Sequence, residues 1–304
     1  MAREQLGICA EANLHGSYLL LNVLEGQEQA LRQKLARLPQ LFDYLAGHFS
    51  EAMLTGVVAV GCNFWDLLYP GKRPLGLQAF PEVAPDTISL AQAPIDLLIQ
   101  IRSDRLDANV IACKQVLQLL TGHIEVQDQL QGFRFLDGRS LTGFIDSPYN
   151  ANARHKRQAA LVHAELQPAF SAGSYVCLQQ LCFNLAAWQL LSQADQEEIM
   201  GYEKVSTKPL PAEILLPDSH YAVMAQPAET VLMQNMPFYQ LKRQGLIQLS
   251  YAASAEALVN QLQRRLGLVD GSAGADLLLN YYHIELTAAF FAPSISFLEL
   301  SANN

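Results

Sequence analysis

The chain has no glycine-rich phosphate loop, no HExxH helix, no GxSxG elbow and no CxxC pair. Those absences remove the commoner nucleotide, zinc and serine-hydrolase chemistries. Charge is also scarce: 16% of the 304 residues are Asp, Glu, Lys or Arg, and the formal net charge is −9. Nucleic-acid binding needs clustered Lys and Arg to neutralise phosphates, and the one basic run, RHKR at 154–157, is short and reads as a solvated face. No apolar run reaches the roughly 20 residues of a membrane span. The opening MAREQLGICAEANLHGSYLLLNV lacks the n-region, h-region and cleavage site of an export signal, so a cytoplasmic, soluble protein is expected. Cys9, Cys62, Cys113, Cys177 and Cys182 are odd in number, scattered and set among apolar neighbours, which predicts buried thiols.

What is present is enough apolar sequence for a large core: half the residues are hydrophobic, and the length suits one large domain or two of about 150 residues. The first half reads as a strand at 18–23, an amphipathic helix at 28–49 with Leu31, Leu35, Leu38, Leu41 and Leu45 at helical spacing, strands within 54–70 and 95–104, a helix at 105–120 and a strand at 124–135. After Asn150 the order restarts. A strand is expected at 173–185, a helix capped by Ser192, strands at 219–226, 230–236 and 245–253, and a helix capped by Ser254. Two successive β-α-β-β-α-β halves, 1–150 and 151–304, predict an α+β protein of duplicated ferredoxin-like units, with helices on one face of antiparallel sheet.

The chemistry-bearing candidates are few. Asp146 stands in RSLTGFIDSPYN, and by itself an Asp after a strand is a turn or cap residue. His220 follows Ser219 before an apolar run, and by itself reads as structural.

Read together, GFRFLDGRSLTGFIDSPYN, GICAEANLH, GSYVCLQQLCFNLAAW, DSH at 218–220, MPFY at 236–239 and FFAPSISFL at 290–298 resemble the dye-decolorizing (DyP-type) haem peroxidases, in order and over nearly the whole chain. Gly143, Phe144, Ile145 and Asp146 match the start of that family's Gly-x-x-Asp-Gly motif, with Ser147 at the second Gly. The resemblance implies haem b held mostly by the second half, His220 as iron ligand, and Asp146 as the distal acid/base that moves a peroxide proton. It also implies hydrogen peroxide and a small aromatic, dye-like or phenolic reductant as substrates, a role in oxidative stress, and self-association into a homo-oligomer.

Three departures bear on activity. The family's distal Arg falls on Met233, which neither donates nor carries charge; loss of one preorganised donor lowers turnover by about 10²–10³. The family's Gly-Arg-Thr-Lys is Gly201-Tyr202-Glu203-Lys204, and Gly-Thr-Glu-Asn-Pro is Ser147-Pro148-Tyr149-Asn150-Ala151. Pro148 is expected to restrict Ser147 and reshape that loop. Ile145, Ser147, Asn150, Met233, Gln234 and Gln248 are the expected cofactor contacts, with Gln234 or Gln248 as a substitute donor toward peroxide. His15, His48, His123, His155, His163 and His283 match no ligand position, and Trp65 and Trp188, as electron relays, compete with a core-packing role. A weakened peroxidase is the leading expectation; a non-catalytic haem protein, or a relative that has lost haem, is the alternative.

Overall fold

The computed structural model describes residues 2–81, 90–153, 155–225 and 231–302. Arg154 of the basic run, and Gln226 and Thr230 at the ends of two expected strands, lie outside the described residues. In the first half, β1 (His15–Val23), α1 (Glu28–Leu35), α2 (Leu38–His48), β2 (Thr55–Gly61), α3 (Trp65–Leu68), β3 (Leu97–Ser103), α4 (Leu106–Leu120) and β4 (Ile124–Phe133) follow in order. The second half contains α5 (His155–Ala160), β5 (Ser174–Phe183), α6 (Leu185–Gln189), α7 (Gln193–Met200), α8 (His220–Met224), β6 (Leu232–Met233), β7 (Met236–Tyr239), β8 (Gln244–Ala252), α9 (Ala255–Arg265), β9 (Tyr282–Ala292) and α10 (Ile295–Ser301).

All named strands join one antiparallel sheet in the order β4-β1-β3-β2-β9-β5-β8-β6, with β7 also on β8. Each half repeats the sequence fourth, first, third, second strand, the arrangement of a ferredoxin-like unit. The halves meet where Val60 and Gly61 pair with Phe291 and Phe290. At the far ends, β4 and β7 approach each other at Gly132, where an added Cβ meets Met236 Cβ at 2.6 Å. Glycine is the only residue that permits this approach without a shift.

Strand alternation explains why both faces are apolar. On β1, Leu19 and Leu21 enter the core beneath the helices, while Tyr18 and Leu20 enter a second core on the other face. Both halves line that second core, through Val57, Leu98, Val176, Leu249 and Phe290. A two-sided strand of this kind reads as a continuous apolar run.

Several expectations are corrected. The helix at 28–49 is two, because Pro39 starts α2 at its first turn. The segment 54–70 is a strand followed by the short α3. His220 opens a helix and not a strand, and β9 has no counterpart among the strands expected from sequence. Ser192 does cap α7, in a reciprocal capping box with Asp195, and Ser254 accepts from Ala257 N–H at the start of α9. Among the described residues no helix is long and apolar enough to cross a membrane.

Candidate active site

The loop that carries Asp146 is pinned before it reaches the site. Gly143 has φ +87°, open only to residues that tolerate the left-handed region. Arg139 donates to the carbonyls of Gly143 at 2.9 Å and Lys204 at 2.7 Å. Phe144 is fully buried between Trp188 and Tyr202, with Lys204 Nζ over its ring. Asp146 N–H donates to Gly138 O at 3.1 Å, which fixes where the carboxylate emerges. Ser147, at the family's glycine position, keeps the left-handed conformation with φ 48°, so Pro148 does not force it into extended backbone. The cost of a non-glycine residue there is offset by its hydroxyl, which donates to Asp146 Oδ2 at 3.1 Å.

Asn235 Nδ2 donates to the same oxygen at 3.0 Å. Burial raises the Asp146 pKa above the usual carboxylate range, and the bonds from Ser147 and Asn235 and the charges of His220 and Arg265 only partly oppose that. A carboxyl of this kind is suited to holding a proton.

Across from it, His220 is the first residue of α8. Its Nδ1 pairs with Asp276 Oδ2 at 2.7 Å, and Asp276 is fixed in turn by Leu278 N–H at 3.0 Å and lies 3.5 Å from Arg265 Nε. Burial alone raises the Asp276 carboxyl, but the charge and bond of His220 and the charge of Arg265 outweigh it and hold the pKa below its ordinary value. An imidazole oriented through one nitrogen by a carboxylate is the form that serves as an iron ligand.

The other nitrogen is taken. Tyr149 Oη lies 3.1 Å from His220 Nε2. Burial, then the charge of Asp146, pushes the Tyr149 phenol far above its usual range, so it is a neutral hydroxyl at any physiological pH. The cavity that Asp146 and His220 share holds only about 30 Å³, enclosed by Met200, Tyr202, Met233, Gln248, Arg265 and Tyr282 among others. The donor set suits haem iron: His220 is oriented through Nδ1 by Asp276, and its Nε2 becomes available once the Tyr149 hydroxyl leaves it.

Other expected contacts have different work. Asn150 clamps the Met233 backbone from both sides, donating to its carbonyl at 2.7 Å and accepting from its N–H at 3.0 Å. Gln234 points away from Asp146: its amide donates to the carbonyls of Gly7 and Ile8 and accepts from Gln100, so it is not a spare donor toward peroxide. Gln248 accepts from Arg265 Nη1 at 3.1 Å, beneath the cavity. Met233 touches the site through its sulfur, 3.6 Å from Ser147 Oγ. The Ile145 carbonyl accepts from Tyr202 Oη at 2.8 Å, so the residue at the family's Arg position braces the Asp146 loop. Both tryptophans are buried, with their indole N–H groups on the Lys72 and Thr142 carbonyls.

Sequence reading missed Tyr149, Asn235, Arg265 and Asp276. Period-two alternation was a usable signal for one of them: Asn235 shares a face with Met233, and Gln234 does not. A second space of about 270 Å³ lies on the outer side of Asp146, lined by Arg102, Arg134, Arg139 and Asn235. A cleft of about 640 Å³ beside α5 and α9 touches neither Asp146 nor His220.

Comparison with known proteins agrees with this frame. Residues 5–134 match the Dyp-type peroxidase N-terminal family and residues 137–297 the Dyp-type peroxidase C-terminal family. A dye-decolorizing peroxidase of Mycolicibacterium paratuberculosis is 27% identical over 289 residues, 93% of this chain and 81% of that protein. Among solved structures, a dyp-type protein from Shewanella oneidensis is 34% identical, covers 99% of both chains and superposes with a TM-score of 0.94. A variant of DypB from Rhodococcus jostii, solved in complex with heme, is 25% identical over 95% of this chain and 96% of that one, with a TM-score of 0.88. Haem b is the cofactor that the family match and the DypB complex support, and membership supports haem peroxidase function. On its two family matches and its likeness to these relatives, the chain belongs to the Dyp-type peroxidase family.

Proposed function

We propose that this chain carries out haem-dependent reduction of hydrogen peroxide, and that His220 takes the iron when the Tyr149 hydroxyl leaves its Nε2. The carrying observation is the His220 ring, held through Nδ1 by Asp276 at 2.7 Å and met at Nε2 by the Tyr149 hydroxyl at 3.1 Å. With the site opened, His220 is the residue placed to ligate iron, and its bond to Asp276 supports that role. Asp146, whose burial favours the protonated carboxyl, is the residue placed to move a proton on peroxide. The reducing substrate is a small aromatic one-electron donor, and turnover is weakened because Met233 supplies no charge.

A second reading is a family member that no longer takes haem at all. It is favoured by Tyr149, which occupies His220 Nε2, and by Tyr202 and Met233, which line the cavity without adding positive charge.

Titrating the purified chain with haemin, then adding peroxide and a dye, tests the proposal. The expected result is a one-to-one Soret complex with weak dye turnover. Absence of a stoichiometric Soret complex contradicts it and favours the second reading.

A further inference from the structure

Away from the Asp146–His220 cavity, one cluster combines a thiol, an imidazole and a carboxylate. Cys182, near the end of β5, is the direct ladder partner of His283 on β9. The ladder slips next to this pair: Gln180 faces Leu286 and Leu181 faces Ile284, which leaves Glu285 as an extra residue with no opposite number. A bulge re-aims the side chain it carries. Here it brings Glu285 Oε1 to 3.5 Å from His283 Nε2, and the candidate ligand atoms of Cys182, His283 and Glu285 all lie within 4.8 Å of one another. Leu181 and Phe183 face the Asp146–His220 cavity, whereas Cys182 packs into the core on the other side of the sheet, so the two sites are separate.

We propose that Cys182, His283 and Glu285 bind a divalent transition metal of the zinc type, with the fourth position open to solvent. Zinc takes a Cys sulfur at about 2.3 Å and nitrogen or oxygen at about 2.0–2.2 Å in a tetrahedral shell. Nitrogen and oxygen ligands are then roughly 3.4 Å apart, close to the separation His283 and Glu285 already have. A thiolate beside an imidazole selects against magnesium and calcium, which prefer oxygen shells. Arg243 ion-pairs with Glu285 through the other carboxylate oxygen, Oε2, and so holds the carboxylate while leaving Oε1 to the cluster. The His283 side chain is 71% exposed, which gives an ion its way in, while Cys182 is 5% exposed and shielded from oxidants. Binding transfers the thiol proton to solvent and forms the metal–sulfur bond, with no change of oxidation state.

Cobalt(II) titration of the chelator-treated full-length chain tests this. The expected result is one cobalt per chain, with a near-ultraviolet thiolate-to-cobalt band and tetrahedral visible bands that zinc abolishes on displacement. Cys182→Ser is expected to remove the thiolate band. His283→Ala changes an exposed side chain and leaves the core intact, so it keeps the test valid if the cysteine variant fails to fold. It is expected to weaken cobalt binding by at least the roughly 10–100-fold typical of losing an outer partner. Absence of a thiolate band in the wild-type chain overturns the proposal, as does a band unchanged in Cys182→Ser or an affinity unchanged in His283→Ala.

Discussion

Tyr149 Oη sits 3.1 Å from Nε2 of His220, while Nδ1 of the same ring is held by Asp276 at 2.7 Å. Both nitrogens of the ring are therefore engaged, one by a carboxylate and one by a phenol.

Met233 depends on Asn150 for both of its backbone groups. Asn150→Ala leaves a carbonyl and an N–H without that partner, and each buried unmet group costs about 1–3 kcal/mol. Chemical denaturation is expected to show a loss of that order. An unchanged midpoint contradicts the clamp.

Asp146 and Asp276 share one neighbourhood and titrate in opposite directions. Asp146 is raised by burial, so its stability contribution is present below the ordinary carboxylate value of 3.8 and is lost as pH rises through the folded pKa. Asp276 is lowered despite burial, through His220 and Arg265, so its contribution is present above 3.8 and is lost as pH falls through the folded pKa. Thermal melts across acid pH are expected to show Asp146→Asn gaining stability over wild type as pH rises. Asp276→Asn is expected to be less stable than wild type near neutrality and to converge with it in acid. Parallel profiles for the two variants refute the assignment.

Much of this was legible in the sequence. Ser192 and Ser254 announced two helix starts through side chains that bond within three residues of themselves, and the order of elements gave two ferredoxin-like halves. Neighbours along the chain single out Asp146 and His220, and the two line one cavity. The local pattern misled at 219–226, where a short apolar, partly aromatic run became the single-turn helix of His220. It was silent on Tyr149, whose contact with His220 spans 71 residues, and on Asp276, which meets the same ring across 56. Contacts of that range are set by how β-sheet and helices pack, and no spacing rule encodes them. Gln234 shows the opposite case: alternation along the strand already turned it away from Met233 and Asn235.

Restoring a cation has a defined expectation. In a Tyr149→Ala background loaded with haemin, Met233→Arg is expected to raise dye oxidation by about 10²–10³, the usual worth of one preorganised donor. Stopped-flow rates with peroxide in excess provide the measurement. Equal rates with Met and Arg at this position remove Met233 as the cause of weak turnover.

The central claim is that His220 holds haem iron and that the Tyr149 hydroxyl competes for its Nε2. Haemin titration followed at the Soret band, run side by side on wild type, Tyr149→Ala and Tyr149→Ala/His220→Ala, tests it most directly. The account predicts a one-to-one complex in wild type, a tighter one in Tyr149→Ala, and none when His220 is removed. No saturable complex in wild type or Tyr149→Ala although both stay folded, or a complex unchanged by loss of His220, contradicts it.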